Sequence, residues 1–381
     1  MGLPNVGISS LPSVMRFFLC GDVMTGRGID QALPHSVDPV LYELYVRDAR
    51  EYIALAEKAH GPIPLPLTFD HIWGDALEEL DRAKVDFRIV NLETAVTSAG
   101  TPWPAKAIRY RMHPLNVGCL SAGRVSACAL ANNHVLDWGY DGLSETLQTL
   151  DAAGITHCGA GSDAESSIKP AVLGTTANGR VLLFSIGSIT SGIPREWEAT
   201  SSSPGVNLLE DFSETTAARL CEQMRAHQLR GDLMIASIHW GSNWGYQIPS
   251  EQILFAHRLV EGGVAVVHGH SSHHVKGIEV FKGRLILYGC GDFITDYEGV
   301  TEYETFRDDL ALMYLIELDS DNGELINARL VPMQMRRFRL ERPSAGDSKW
   351  LCSLLNELGA RFGTAARLHE DSSLLLEWRP E

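Results

Sequence analysis

A chain of 381 residues with 45% hydrophobic content can hold one large domain or two ordinary ones, with ample apolar material for a core. Its formal net charge of -16 argues against nucleic acid or an anionic membrane as a general partner, although a local cationic pocket can still hold a phosphate or carboxylate. Seven cysteines, scattered singly without Cys-x-x-Cys spacing, point to buried thiols in a reducing compartment and exclude a disulfide framework or a cysteine zinc site.

Taken in chain order, residues 1–13 have neither a basic start nor an apolar stretch of signal length, and the run 14–20 predicts the first core strand. No segment reaches the roughly 18 to 20 apolar residues that cross a bilayer, so no integral membrane segment and a cytoplasmic location are expected. An insertion over 31–80 carries a predicted helix near 39–60. It continues as Gly61-Pro62-Ile63-Pro64-Leu65-Pro66, which is incompatible with regular helix. A loop of that size either covers a site or decorates the surface.

Short runs rich in branched or aromatic residues predict strands at 17–20, 87–90, 126–130, 181–186, 233–238, 264–267, 285–288 and 310–318. Leu143, Leu147 and Leu150 share one helical face before Gly154. Ser250 is a candidate N-cap for a helix carrying Ile253, Ala256, Leu259 and Val260, closed by Gly262-Gly263. After Arg336, Arg337 and Arg339 a further helix is predicted over 348–362. Strands alternating with helices indicate an α/β architecture. The expected organisation is one domain over 14–335, with a helical extension over 336–381 packed on it.

Five polar motifs end apolar runs: Gly21-Asp22-Val23-Met24, Asn91-Leu92-Glu93, Asn132-Asn133-His134, His239-Trp240-Gly241 and Gly269-His270-Ser271-Ser272-His273-His274. Asp, Glu, Asn and His are ligands that divalent cations accept, and strand ends carry such groups into one crevice. Asp22 can ligate metal or mark a turn, while Arg27 offers a bidentate donor to an anionic substrate. Glu93 can bridge two cations about 3.5 to 4 Å apart, or stand solvated. In the third motif an amide oxygen is a ligand and His134 a general acid, with Asp137 orienting the imidazole; a satisfied polar turn is the alternative. His239 and the cluster around His270 and His273 suit zinc, manganese or iron, whereas His268 is expected to point into the core.

The order of these motifs resembles the calcineurin-like metallophosphoesterase superfamily. Their wording is similar to its poly-γ-glutamate capsule synthesis branch, the CapA family, over roughly residues 17–293. Ala131-Asn132-Asn133-His134-Val135-Leu136-Asp137-Trp138-Gly139 and Leu287-Tyr288-Gly289-Cys290-Gly291-Asp292-Phe293 carry the likeness further. The resemblance implies a four-layer α/β/β/α sandwich of metallophosphatase type with metal at its strand ends. It further implies Asp22, Glu93, Asn133, His239 and one or both of His270 and His273 as metal ligands, and His134 as proton donor to the leaving group. Catalysis would proceed through metal-activated water, with Arg27 neutralising charge. Met24 stands two residues after the first aspartate, where a typical phosphoesterase has histidine, and Glu93 replaces a bridging aspartate; one or two ions of manganese, iron or zinc are therefore expected.

Two function classes follow. In the first the protein is a metal-dependent hydrolase acting on an anionic small molecule or polymer, by phosphoester-type chemistry or, less favoured, on an amide such as a γ-glutamyl bond. In the second it is an accessory protein that binds an anionic polymer or peptide during poly-γ-glutamate or related biosynthesis, without chemistry.

Overall fold

The computed structural model describes residues 13–175, 179–300 and 304–379. Residues 1–12, which hold most of the stretch read as lacking a leader, lie outside it. No helix among the described residues is long and apolar enough to cross a membrane.

The strand Val14–Val23 is the hub of a ten-stranded sheet. It pairs antiparallel with Leu310–Asp319 on one side and parallel with Phe87–Leu92 on the other, and Asp292–Ile294 joins its C-terminal end in parallel. A second, seven-stranded sheet is built around the parallel strands Gly179–Ser188, Leu233–His239 and Val264–His270.

Side-chain alternation along these strands creates three apolar layers. Phe17 and Leu19 point between the sheets, against Leu183, Ile235 and Leu287. Phe18 and Cys20 point the other way, into a layer that holds Leu80, Leu143 and Leu150 of the covering helices. On the far side of the second sheet, Met234, Ala236 and Ile238 pack against Leu220, Phe255 and Leu259. Helices, sheet, sheet, helices: the four-layer α/β/β/α sandwich implied by the family resemblance is the fold observed.

Several boundaries differ from expectation. The helix of the insertion is Arg50–His60, shorter than predicted. Asp48 Oδ1 accepts the Arg50 amide at 2.9 Å, so the chain before it is held as a loop. Ser250 is the first helical residue of Ser250–Glu261, with Pro249 in the cap position. The C-terminal extension is not purely helical. After the helix Ala345–Gly359, capped by Ser344 Oγ, the strands Thr364–Leu368 and Leu374–Trp378 form a hairpin on the edge of the ten-stranded sheet. Thr364 and Ala366 face inward while Ala365 and Arg367 face out, an alternation too short and too alanine-rich to signal a strand by propensity.

Arg27 explains why the insertion is more than decoration. Its side chain is 2% exposed, with Nη1 donating to Glu43 and to the Tyr52 hydroxyl, both at 2.9 Å. Nε and Nη2 donate to the two oxygens of Asp296 at 3.2 and 2.5 Å, and the guanidinium lies 4.0 Å from the centre of the Tyr52 ring. The arginine assigned to an anionic substrate thus spends its donors inside the protein, tying the insertion to the loop after Asp292–Ile294. Removing one partner of such a buried pair strands the others. Arg27→Ala is therefore expected to lower unfolding stability by about 3–5 kcal/mol in urea titration; unchanged stability with weakened anion binding would return Arg27 to a substrate role.

Candidate metal centre

Parallel pairing delivers the polar strand ends to one place. Asp22 stands opposite Asn91 in one ladder and opposite Asp292 in another, and His239 stands opposite His270 in the second sheet. A Cβ built on Gly21 would fall 1.6 Å from the Gly291 carbonyl oxygen, so only glycine allows the strands carrying Asp22 and Asp292 to approach this closely.

Two groups of side chains can each grip a cation, with ligand atoms all within 4.8 Å of one another: Asp22, His239 and His270, and Asp22, His273 and Asp292. Asp22 belongs to both. His239 Nδ1 is 2.8 Å from His270 Nδ1, and His270 Nδ1 is 3.8 Å from Asp22 Oδ1. His273 Nδ1 is 2.9 Å from Asp292 Oδ1. Asn133 turns its amide oxygen toward the same cluster, 3.1 Å from His239 Nε2.

Glu93, expected as the bridge, borders these groups instead: its Oε1 is 3.8 Å from His134 Nε2 and 3.9 Å from His239 Nε2. His270 and His273 are both present, one in each group. His268 faces the core, with Nε2 2.7 Å from the Cys20 carbonyl. Met24 lies against the Tyr297 hydroxyl, with sulfur and oxygen 3.7 Å apart. Asn132 stays out of the cluster, its Oδ1 accepting the His134 and Val135 amides and so holding the turn.

Asp292, though part of a motif that carries the family likeness, was not among the expected ligands, although a signal was there: Cys290-Gly291-Asp292 repeats Cys20-Gly21-Asp22. Asn91, named in the second motif, was given no role at the site. Its Nδ2 donates to Asp22 Oδ1 at 2.7 Å and to Glu93 Oε2 at 3.1 Å, which fixes both carboxylates. Lys106, from a stretch without any recognised motif, donates to Asp137 and lies 3.0 Å from His134 Nδ1.

The electrostatics are those of negative charge waiting for compensation. Burial and the Asp292 carboxylate push Asp22 up from 3.8 to about 7, and burial followed by Asp22 raises Glu93 well above the usual range. Burial, followed by the repulsion that protonating adjacent imidazoles would create, pulls His239 and His270 well down, which favours the neutral, ligating form of both. Burial opposes protonation of His273, but its pairing with Asp292 wins and raises it. Burial and the Lys106 charge bring His134 down to about 4.

Asp292 Oδ2 is buried without a hydrogen-bond partner, an arrangement that costs free energy unless a cation offsets it. Imidazole nitrogen with carboxylate oxygen suits manganese, iron or zinc. The residues present therefore fit a divalent cation, one per group.

The fold and its strand-end cluster define a two-sheet α/β sandwich with a buried histidine and carboxylate centre. The chain belongs to the family of bacterial capsule synthesis proteins known as PGA_cap, whose family model matches residues 16–297. It is 43% identical over 364 residues, 95% of this chain and 96% of the relative, to a "probable polyglutamine synthesis accessory protein" of Mycobacterium tuberculosis. It is 27% identical to a "PGA biosynthesis protein CapA" of Bacillus subtilis, over 58% of this chain and 56% of that one. Among solved structures, a "novel phosphatase" from Mycoplasma pneumoniae is similar at a TM-score of 0.45 and 13% identity, across 86% of this chain and 97% of that chain.

A carboxyl group with a raised folded pKa stabilises the metal-free protein at low pH, and that stability is lost as pH climbs from about 4 through about 7. A cation takes the proton's place and so competes best where Asp22 is ionised. The gain in Tm on adding manganese is expected to grow between about pH 5 and about pH 8; a gain independent of pH would contradict a cation bound at Asp22.

Proposed function

We propose that this protein is a metal-dependent hydrolase with phosphoester-type chemistry, acting on an anionic substrate in polyglutamate or capsule biosynthesis. The observation that carries the reading is the pair of histidine and carboxylate groups sharing Asp22, with an unpartnered oxygen of Asp292 inside it. Divalent cations held by Asp22, His239, His270, His273 and Asp292 would neutralise a reacting anionic group and acidify a water molecule.

The chain's own groups supply the rest. His134 Nδ1 is 2.6 Å from Asp137 Oδ2, so the ring proton sits at Nδ1 and Nε2 faces Glu93 and the cluster. Donating a proton to a leaving group requires a second proton on Nε2. Asp137 favours that doubly protonated ring, whereas burial and Lys106 oppose it. Asn91 holds Asp22 and Glu93 in place. Tyr110 packs edge-on against His134 at 4.5 Å between ring centres and limits water on that side.

A second reading has a specific observation behind it: the relative at 43% identity is described as an accessory protein. There the same centre would hold metal and a polymer without turnover.

Metal content by inductively coupled plasma mass spectrometry, together with turnover of bis(p-nitrophenyl) phosphate and a γ-glutamyl anilide, separates the readings. Near-stoichiometric metal, with hydrolysis that falls about 100-fold or more in His134→Ala, is the expected result. Bound metal without hydrolysis of either probe favours the accessory role, and absence of metal after reconstitution contradicts both.

A further inference from the structure

Asp137 is enclosed by one short stretch of chain. The Trp103 amide donates to the Asp137 carbonyl at 2.8 Å, the Tyr110 amide donates to Asp137 Oδ2 at 2.7 Å, and Lys106 Nζ donates to Oδ1. Arg109 closes the loop on itself, with Nε and Nη2 donating to the Trp103 carbonyl at 3.2 and 2.7 Å. Residues 103–110 thus form a collar around the carboxylate that holds His134.

Lys106 reaches furthest into the site. Besides Asp137 Oδ1 it donates to the Asn133 carbonyl, and it lies 5.4 Å from the centre of a Trp197 ring. Its ammonium therefore binds the turn that presents Asn133, His134 and Asp137. Burying an ammonium is costly unless it is hydrogen-bonded, and the Asn133 carbonyl and Asp137 Oδ1 both accept from it.

Ala105, the residue before Lys106, has φ +58, a left-handed conformation that a residue with a Cβ seldom adopts. Strain of this kind persists only where the surroundings over-determine it, and it gathers at functional sites.

Both Asp137 oxygens are consequently held. Oδ2 takes the Tyr110 amide and the His134 ring; Oδ1 takes Lys106. The carboxylate is braced against rotation, and with it the imidazole.

We propose that Lys106 is the positioning residue of this centre. By gripping Asp137 Oδ1 and the Asn133 carbonyl, it fixes His134 with Nε2 toward the cluster and the Asn133 amide toward His239. The inference rests on the hydrolase reading for its kinetic consequence and on geometry alone for its structural one.

The test uses the full chain with Lys106→Met and Lys106→Arg. Manganese content, kcat and KM on bis(p-nitrophenyl) phosphate, and the ring 15N shifts of His134 in the metal-free protein are measured, the last assigned through His134→Gln. Lys106→Met is expected to keep its manganese, hold KM within about twofold and lose about 10–100-fold in kcat. Its His134 shifts, read at about pH 8 so that the ring is neutral, should move from those of an Nδ1-protonated ring toward an average of the two tautomers, with Lys106→Arg recovering part of both effects. If Lys106→Met fails to fold, Lys106→Gln, whose amide can still donate to one of the two acceptors, is expected to keep its manganese and to move kcat and the His134 shifts in the same direction.

Unchanged kcat with unchanged His134 shifts overturns the proposal. So does manganese lost in step with kcat, which would make Lys106 part of the metal centre's folding. Should the wild-type protein hydrolyse neither phosphoester nor amide, the hydrolase reading fails separately, and the His134 shifts decide the positioning role.

Discussion

The centre depends on one close approach: two strands ending in Cys-Gly-Asp lie in parallel register, with Asp22 beside Asp292. Gly21 lets the backbones meet, and both carboxylates are buried. Like charges so placed cannot both ionise cheaply in a low-dielectric interior. The raised Asp22, the raised Glu93 and the unpartnered Asp292 oxygen are three expressions of that constraint. A cation bound at this point would relieve all three together.

The sandwich exists, in functional terms, to create that meeting. Each sheet has a parallel core whose strands run their C-terminal ends toward the same crevice, the usual place for ligands in α/β folds. Carboxylates arrive from the first sheet and imidazoles from the second, so the interface between sheets is also where the two kinds of ligand combine. Around them lies a sleeve of fixed dipoles. Asn91 orients carboxylates, Asn132 shapes the turn, and the collar of 103–110 holds Asp137. Arg27, outside this sleeve, ties down the insertion through Glu43, Tyr52 and Asp296.

Much of the fold was legible because strand and helix periodicities are local. Each of the eight apolar runs overlaps an observed strand, and the leucine face ending at Gly154 is the buried face of Gly139–Ala152. Most candidate ligands were legible for the same reason, being polar residues at the ends of those runs. What escaped has non-local causes. Arg27 looked free because Asp296, its main partner, is 269 residues away. Lys106 sits in a loop without periodicity and gains meaning only from Asp137. The hairpin after Thr364 is specified by the sheet edge it joins, more than by its own propensity. Asp292 could have been found, since its Cys-Gly-Asp repeats that of the first strand.

The central claim is that Asp22 is shared by two cation sites, with His239 and His270 on one side and His273 and Asp292 on the other. Anomalous diffraction at the manganese edge, from crystals of the manganese-loaded protein, tests it directly. Two peaks flanking Asp22, about 3.5–4 Å apart, are the predicted result. A peak away from Asp22, or no peak in a fully reconstituted protein, would contradict it.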